Sequence, residues 1–459
     1  MRTRKERDAL GFVEVLGDAY YGSETQRTIN CFKISGLKVD IELVYSYVKL
    51  KKAAAIANMK AQKLDKNTAL AIQKACDDVL SGKFDKEFIL DPFQSGAGTS
   101  LNMNVNEVLA NIAIEILGGK KGEYKKVHPN DHVNMSQSTN DTYPTAVNMT
   151  CYKIVHKELL PSLKKLMDSL ELKATEFSEI VKIGRTHLQD AVPMRLGEEF
   201  DAYAGAIDNC IISLENAERF LLYVPLTGTA VGTGLNTGKL YKKYVLKELR
   251  TITGINFKYP EHIFTNMSFR QEQLELSNSL NECAVTLSKI CNDMRLLTSG
   301  PRAGLNEIIL PAVLPGSSIM PGKINPSVIE MLNMVCFRVM GSSASISNAV
   351  AGGQLELNVF TPLISYELIF SIKILSNAIK TFEKFTVKGI KANKEKISGY
   401  LEMDLELATA LNQYIGYANA AEIAKIALKE GKSIKQVCIE RKILDRKLLD
   451  RILDPKNDS

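Results

Sequence analysis

The feature that most constrains this chain is a run of long apolar-periodic segments between Pro144 and about Val387, separated by short interruptions rich in Gly, Pro and Asn. Apolar residues returning every three or four positions mark the buried stripe of a helix, and several such stripes in succession describe a large helical bundle. One stretch runs from Phe269 to Leu297, with Leu274, Leu280, Leu287, Met294 and Leu297 among its apolar positions. Another follows Pro326, where Val328, Met331, Leu332, Val335, Cys336 and Val339 recur. Ile329 and Met334 widen that stripe until little polar face remains, so this helix is predicted to be buried on most sides. Alternating runs of strand type are scarce. The expected fold class is therefore all-α, mainly helical, with minor strands.

The flanks are less regular. Residues 1–40 mix charge, Gly and aromatic residues without a sustained period and read as an irregular lead-in. Asp40 is placed to cap a helix carrying Leu43, Val44, Tyr47, Val48 and the Ala-rich stretch Ala53 to Ala57, and a second helix from about Asn67 stops at Gly82. Asp91 to Asn106, DPFQSGAGTSLNMNVN, reads as a loop. Beyond Gly399 the helices become shorter and more charged: Ala418 to Leu428 ends at Gly431, Ser433 and Gln436 form a capping-box pattern, and the tail Pro455–Ser459 is expected to fray. These shifts divide the chain into an N-terminal mainly helical domain (1–140), a central long-helix bundle (141–395) and a small C-terminal helical domain (396–459).

Composition narrows the function. With 459 residues the chain can bury a substantial core, and 58 Lys+Arg against 52 Asp+Glu leave a formal charge of +6. The basic residues are scattered, an excess suited to steering a dianionic substrate rather than to gripping nucleic acid. Eight cysteines lie far apart with no CxxC pair, which points to reduced, mostly buried thiols. The charged start MRTRKERDALG has no apolar stretch of signal type after it, and no uninterrupted apolar run approaches the length of a membrane span. No membrane partner and a cytoplasmic location are expected.

The most informative segment for chemistry is Leu314 to Pro326, LPGSSIMPGKINP. Two glycines, three prolines and two adjacent serines preclude an ordinary helix between long helical patterns. On composition alone this is either a connecting loop or a substrate-covering loop. In the second case Gly316 frees backbone N–H groups to approach an anion, Ser317 and Ser318 supply hydroxyls, and Lys323 with Asn325 supplies a charge and an amide.

GSSIMPGKINP closely resembles the signature of the aspartase/fumarase superfamily, with only Ile324 at a usually Val position. Gly98-Thr99-Ser100 followed by NMNVNEV, Ser138-Thr139-Asn140-Asp141, and Gly184 to Asp190 (GRTHLQD) resemble three further family regions, so the resemblance covers nearly the whole chain. It implies a three-domain subunit whose long helices pack, four copies together, into a twenty-helix core with active sites assembled from three subunits. The finer spellings resemble the aspartase branch: AYYGSETQR, GAGTS, STNDTYPT, KICNDMRLLTSGPRAGLNEI and GQLELNV, with no Trp anywhere. The implied reaction is reversible elimination of ammonia from L-aspartate to give fumarate. The alternatives are a fumarate hydratase acting on L-malate and a non-catalytic structural relative. His187 is found in both branches, Gly322 fits either, and Asn266 to Glu275 is unlike the usual forms.

The resemblance also assigns roles. Ser317 is the general base, and Ser318 with neighbouring backbone N–H groups helps to hold the developing oxyanion. Lys323, Asn325 and Thr186 hold the α-carboxylate, while Thr99, Ser138 and Thr139 hold the other carboxylate. Asn140 and His187 contact the departing amine. No cofactor is required and no metal site is expected, though some aspartases are activated by Mg²⁺. Taken singly, a Ser or Thr in such a setting is ordinarily turn or cap chemistry. His128 and His132 sit four residues apart, but HPNDHVN lacks the Glu of HExxH, so a metal pair is not expected; the segment resembles the second, non-catalytic anion site of fumarases. GTAVGTGLNTGK (228–239) has neither a third Gly in dinucleotide spacing nor a P-loop, and reads as a structural turn.

Overall fold

The computed structural model describes residues 2–453, and helices dominate among them. The expected fraying of Pro455–Ser459 falls outside the described residues. The chain opens with an antiparallel hairpin, β1 (Thr3–Asp8) and β2 (Gly11–Leu16), with Thr3 opposite Leu16 and Asp8 opposite Gly11. This corrects the irregular lead-in. The hairpin buries little beyond Glu6 and Val15, and the inward positions of β1 are charged, Arg4 pairing with Glu6 at 2.7 Å and Asp8 with Arg27 at 2.6 Å, so apolar alternation could not announce it.

Helices α1 (Ser23–Cys31), α2 (Ile41–Lys60), α3 (Lys66–Leu80), α4 (Thr99–Ile116) and α5 (Thr139–Ile154) follow. Asp40 caps α2 by accepting the Glu42 N–H, and Gly82 after α3 has φ +85. The expected loop over Asp91–Asn106 ends sooner: α4 starts at Thr99, directly after Ala97 and Gly98 turn the chain with φ 59 and 80. Asn102, Asn104 and Asn106, read as loop formers, are buried in α4, and their amides find partners in Lys51 Nζ, Glu87 O and Met103 Sδ. For Asn102 and Asn104 tertiary hydrogen bonds override weak helix propensity, while Asn106 bonds within α4 itself.

Next come α6 (Leu160–Glu176), a hairpin of β3 (Val181–Thr186) and β4 (Gln189–Arg195), α7 (Leu196–Leu221), α8 (Lys239–Thr253), α9 (Ile263–Ser268) and α10 (Gln271–Leu297). The two-residue strand β5 (Ile308–Ile309), α11 (Ser327–Ala351), α12 (Thr361–Phe385), β6 (Lys391–Ala392) and α13 (Lys394–Glu402) complete the central part. Four short helices end it: α14 (Asn412–Ile415), α15 (Tyr417–Glu430), α16 (Ile434–Glu440) and α17 (Arg446–Ile452). The capping box on α16 is present, with Ser433 accepting from Gln436 N and Gln436 accepting from Ser433 N. Each sheet has two antiparallel strands, so the chain is mainly helical with minor strands.

The chain forms two compact units. One comprises Met1–Pro161, Ile212–Ala284 and Arg338–Leu375, the other Ser162–Ile211, Val285–Phe337 and Ser376–Ser459. In the first, α2 packs on α8 through Leu50, Ala53, Ala54 and Ala57 against Tyr241, Val245 and Leu249, the alanines letting the backbones approach. Each fully buried Leu or Val there contributes roughly 1.5–3 kcal/mol. In the second, Leu407, Leu411, Ile423, Ile434, Val437 and Leu449 gather a core for the C-terminal helices. All eight cysteines are free thiols, seven of them buried. One stretch, residues 361–389, has the length and apolarity of a membrane span, and 67% of its most apolar window is buried inside the protein.

The helix after Pro326 departs from expectation. Ile329, Leu332, Cys336 and Val339 are buried, but Met334 is 64% and Phe337 57% exposed. The chain alone does not cover the widened stripe.

Candidate active site

The first unit carries Thr99, Ser138, Thr139 and Asn140 at two helix N-termini. Thr99 opens α4, and Ser138 caps α5, with Thr139 and Asn140 in its first turn. The two ends abut: a Cβ on Gly98 would lie 2.1 Å from the Tyr143 ring of α5, and φ +80 also demands Gly there. Tyr143 is itself fixed by a 2.9 Å hydrogen bond between its hydroxyl and Ser365. Helix N-termini present unpaired N–H groups and the positive end of the macrodipole, so two of them side by side make a cradle for a carboxylate. A cleft of about 410 Å³ opens beside Thr99 and Ser100, walled also by Arg27 and Thr28.

Asp141 holds this cradle in place. It is fully buried, accepts Ser138 N at 3.1 Å to close a capping box, and accepts Thr229 N at 2.9 Å. Burial raises its pKa to about 6 against backbone N–H groups that lower it. Ser138 Oγ accepts Asn140 N at 3.2 Å, which leaves the hydroxyl hydrogen to donate outward. Asn140 Nδ2 donates to Ala230 O at 2.8 Å, which leaves Oδ1 as the acceptor end of the amide. The glycine-rich segment 228–239 is thus a support for α5. Thr227 and Thr229 hold φ of 76 and 55, strain that the bonds to Asp141 and α5 sustain.

Behind the cradle lies Lys51, also fully buried, whose Nζ donates to Asn102 Oδ1 at 2.7 Å and Asn134 Oδ1 at 2.8 Å. Burial lowers its pKa to about 7, opposed by the charge of Asp141. Nothing in KLKKAAA separates this lysine from an ordinary helix-surface one, and sequence reasoning missed it. Asp141 was quoted within its motif but given no role, although Ser138 followed by Asp141 has the spacing of a capping box.

The second unit carries the remaining site residues. Thr186 ends β3 and His187 begins a two-residue turn to β4 in which His187 and Leu188 have φ 56 and 60. Both are exposed, in a turn geometry that ordinarily takes Asn-Gly. Ser317 Oγ accepts two backbone N–H groups, from Ile319 at 3.3 Å and Met320 at 3.1 Å. Asn325 Nδ2 donates to Gly316 O at 2.6 Å and closes the loop at its base, where a Cβ on Gly316 would meet Lys323 O at 2.0 Å. Lys323 and Ser318 are exposed, as is Ile319 at 82%. Two N–H groups aimed at one hydroxyl oxygen favour its alkoxide, the donating environment a serine base requires.

In the His128–Asn134 segment, His132 Nδ1 accepts His128 N at 2.7 Å, and His128 Nδ1 accepts Asn130 N and Asp131 N at 3.2 Å. Both rings thus spend Nδ1 on the backbone.

Comparison with known proteins covers nearly the whole chain. Residues 11–341 match the family described as Lyase and residues 407–457 match the fumarase C C-terminus. An aspartate ammonia-lyase from Bacillus sp is 45% identical over 98% of this chain and 96% of its own length. A class II fumarate hydratase from Thermosynechococcus vestitus is 46% identical over 95% and 94%. The solved structure of a fumarate lyase:delta crystallin from Brucella melitensis, bound to cobalt, is 44% identical, aligns with a TM-score of 0.96, and covers 99% of both chains.

Proposed function

This chain is a lyase of the aspartase/fumarase superfamily, and we propose that it is the ammonia-lyase of that group that converts L-aspartate to fumarate and ammonia, reversibly and without a cofactor. The observation that carries the reading is the paired helix N-termini that place Thr99, Ser138 and Thr139 beside Asn140. Ser317, as alkoxide, takes the C3 proton of aspartate and becomes a hydroxyl. The electron pair spreads into the adjoining carboxylate as an enediolate. Its added charge is met by hydroxyls and N–H groups already oriented by α4 and α5, so stabilisation needs no reorganisation. The enediolate then collapses, C2–C3 becomes a double bond, and the C2–N pair leaves with nitrogen as ammonia. Lys323, Asn325 and Thr186 hold the other carboxylate, and Ser318 assists at the oxyanion. An ammonium group only donates, and Asn140 Oδ1, with its amide nitrogen committed to Ala230 O, offers it an acceptor; His187 is the second group proposed to contact the departing amine.

The reading includes a homotetramer with composite sites, supported by the exposed Met334 and Phe337 of α11 and Val285 of α10. Fumarate hydratase is the second reading, favoured by the 46% identity to a protein of that name. Purified protein offered L-aspartate and, separately, L-malate at mildly alkaline pH distinguishes them by fumarate absorbance. Fumarate from aspartate alone is expected. Fumarate from malate alone overturns the assignment.

A further inference from the structure

The hairpin that presents Thr186 and His187 is strained at its tip, and no residue of β4 is fully buried, so something must hold it. Side chains alternate along a strand, and Lys182 and Arg185, three apart, should lie on opposite faces. They do not act so. The register shifts between Ile183 and Arg185: two steps along β3 face three along β4, so β4 carries the extra residue opposite Gly184, where a Cβ would meet Val192 O at 2.9 Å. Such a bulge disrupts the ladder and increases the local twist, so strict alternation need not hold beside it. Both cations of β3 converge on one carboxylate: Glu307 Oε2 lies 2.8 Å from Lys182 Nζ, and Oε1 lies 2.7 Å from Arg185 Nη1.

Glu307 is a fixed point. It is fully buried, its N–H donates to Leu297 O at the end of α10, and its carbonyl accepts Asn393 N ahead of α13. Lys182 also meets Glu199 of α7 at 2.7 Å, and the Arg185 guanidinium lies 5.7 Å from the centre of the Tyr400 ring. A buried carboxylate with two cations from one short strand is costly unless it defines a geometry. We propose that Glu307 is the positioning residue for the substrate hairpin, fixing Arg185 and through it the adjacent Thr186 and His187. The inference rests on the lyase reading above.

The test is a double-mutant cycle between Glu307→Gln and His187→Ala in the full-length protein, together with hydrogen exchange over residues 181–195. If Glu307 acts through the hairpin, Glu307→Gln lowers kcat/KM for aspartate roughly tenfold to a hundredfold in the wild-type background, as small misplacements of binding groups do. It then has little further effect in His187→Ala, and the hairpin loses exchange protection while α10 and α11 keep theirs. Equal losses in both backgrounds, unchanged activity, or loss of protection throughout the long helices would overturn it. Arg185→Gln, which removes the strand's half of the pair, serves in the same cycle if Glu307→Gln does not fold. Should the wild-type protein form fumarate from neither aspartate nor malate, the lyase reading fails, and the exchange measurement still decides whether Glu307 holds the hairpin.

Discussion

Ser317 is the proposed base, and the Ile319 and Met320 N–H groups converge on its oxygen, where they favour the charged form. Ser317→Ala should lower kcat by about 10²- to 10⁴-fold, the usual contribution of a general base, with the circular dichroism spectrum and oligomer size unchanged. Retention of most activity would refute the assignment. Lys51 makes a prediction about stability. Its pKa falls from 10.5 to about 7 on burial, so between those values the unfolded chain carries a proton that the folded chain has lost. Stability contributed at this position therefore increases as pH rises from about 7 towards 10.5. Lys51→Met should remove that slope, visible as a flatter dependence of urea midpoint on pH than in wild type; an unaltered slope would place the titration elsewhere.

At the scale of elements, the proposed active-site groups sit where regular structure stops. Ser138 and Thr99 are at helix starts, and His187 is in a hairpin turn whose residues pay for their position in backbone strain. Leu188 has φ 60 and a side chain 69% exposed, so it gains nothing from packing. Leu188→Gly should stabilise the protein by about 1 kcal/mol, relief of a left-handed conformation outweighing the added freedom of the unfolded chain. Thermal denaturation measures this, and a fall in Tm would show that Leu188 has a partner in solution. Much of this level was readable. Asp40 capping α2 and the Ser433–Gln436 box were both anticipated, since caps depend on residues within one turn. The N-terminal hairpin was not, because the inward positions of β1 are the charged Arg4, Glu6 and Asp8, so its alternating burial has no apolar signature.

For the whole molecule, the exposed apolar residues of the long helices are the outstanding feature. Met334 and Phe337 expose more than half their surface on a helix whose other side is core. Soluble chains seldom leave such groups uncovered without a partner. If the proposed tetramer forms through this face, Met334→Glu combined with Phe337→Glu should dissociate it and abolish activity together, as seen by light scattering and assay on the same sample. A dissociated but fully active protein would rule out composite sites.

What the sequence determined by itself was the helical class, several helix ends, the Gly- and Pro-bounded loop around Ser317, and the resemblance that assigned site roles. These signals are local, carried by periodicity, caps and short motifs that need only near neighbours. The tertiary structure alone decided that three asparagines belong inside α4, that Lys51 is buried against Asn102 and Asn134, and that Lys182 and Arg185 both meet Glu307. Lys51 and Asn102 are 51 residues apart, and a polar residue's partner at such a distance is chosen by packing, which no local pattern encodes.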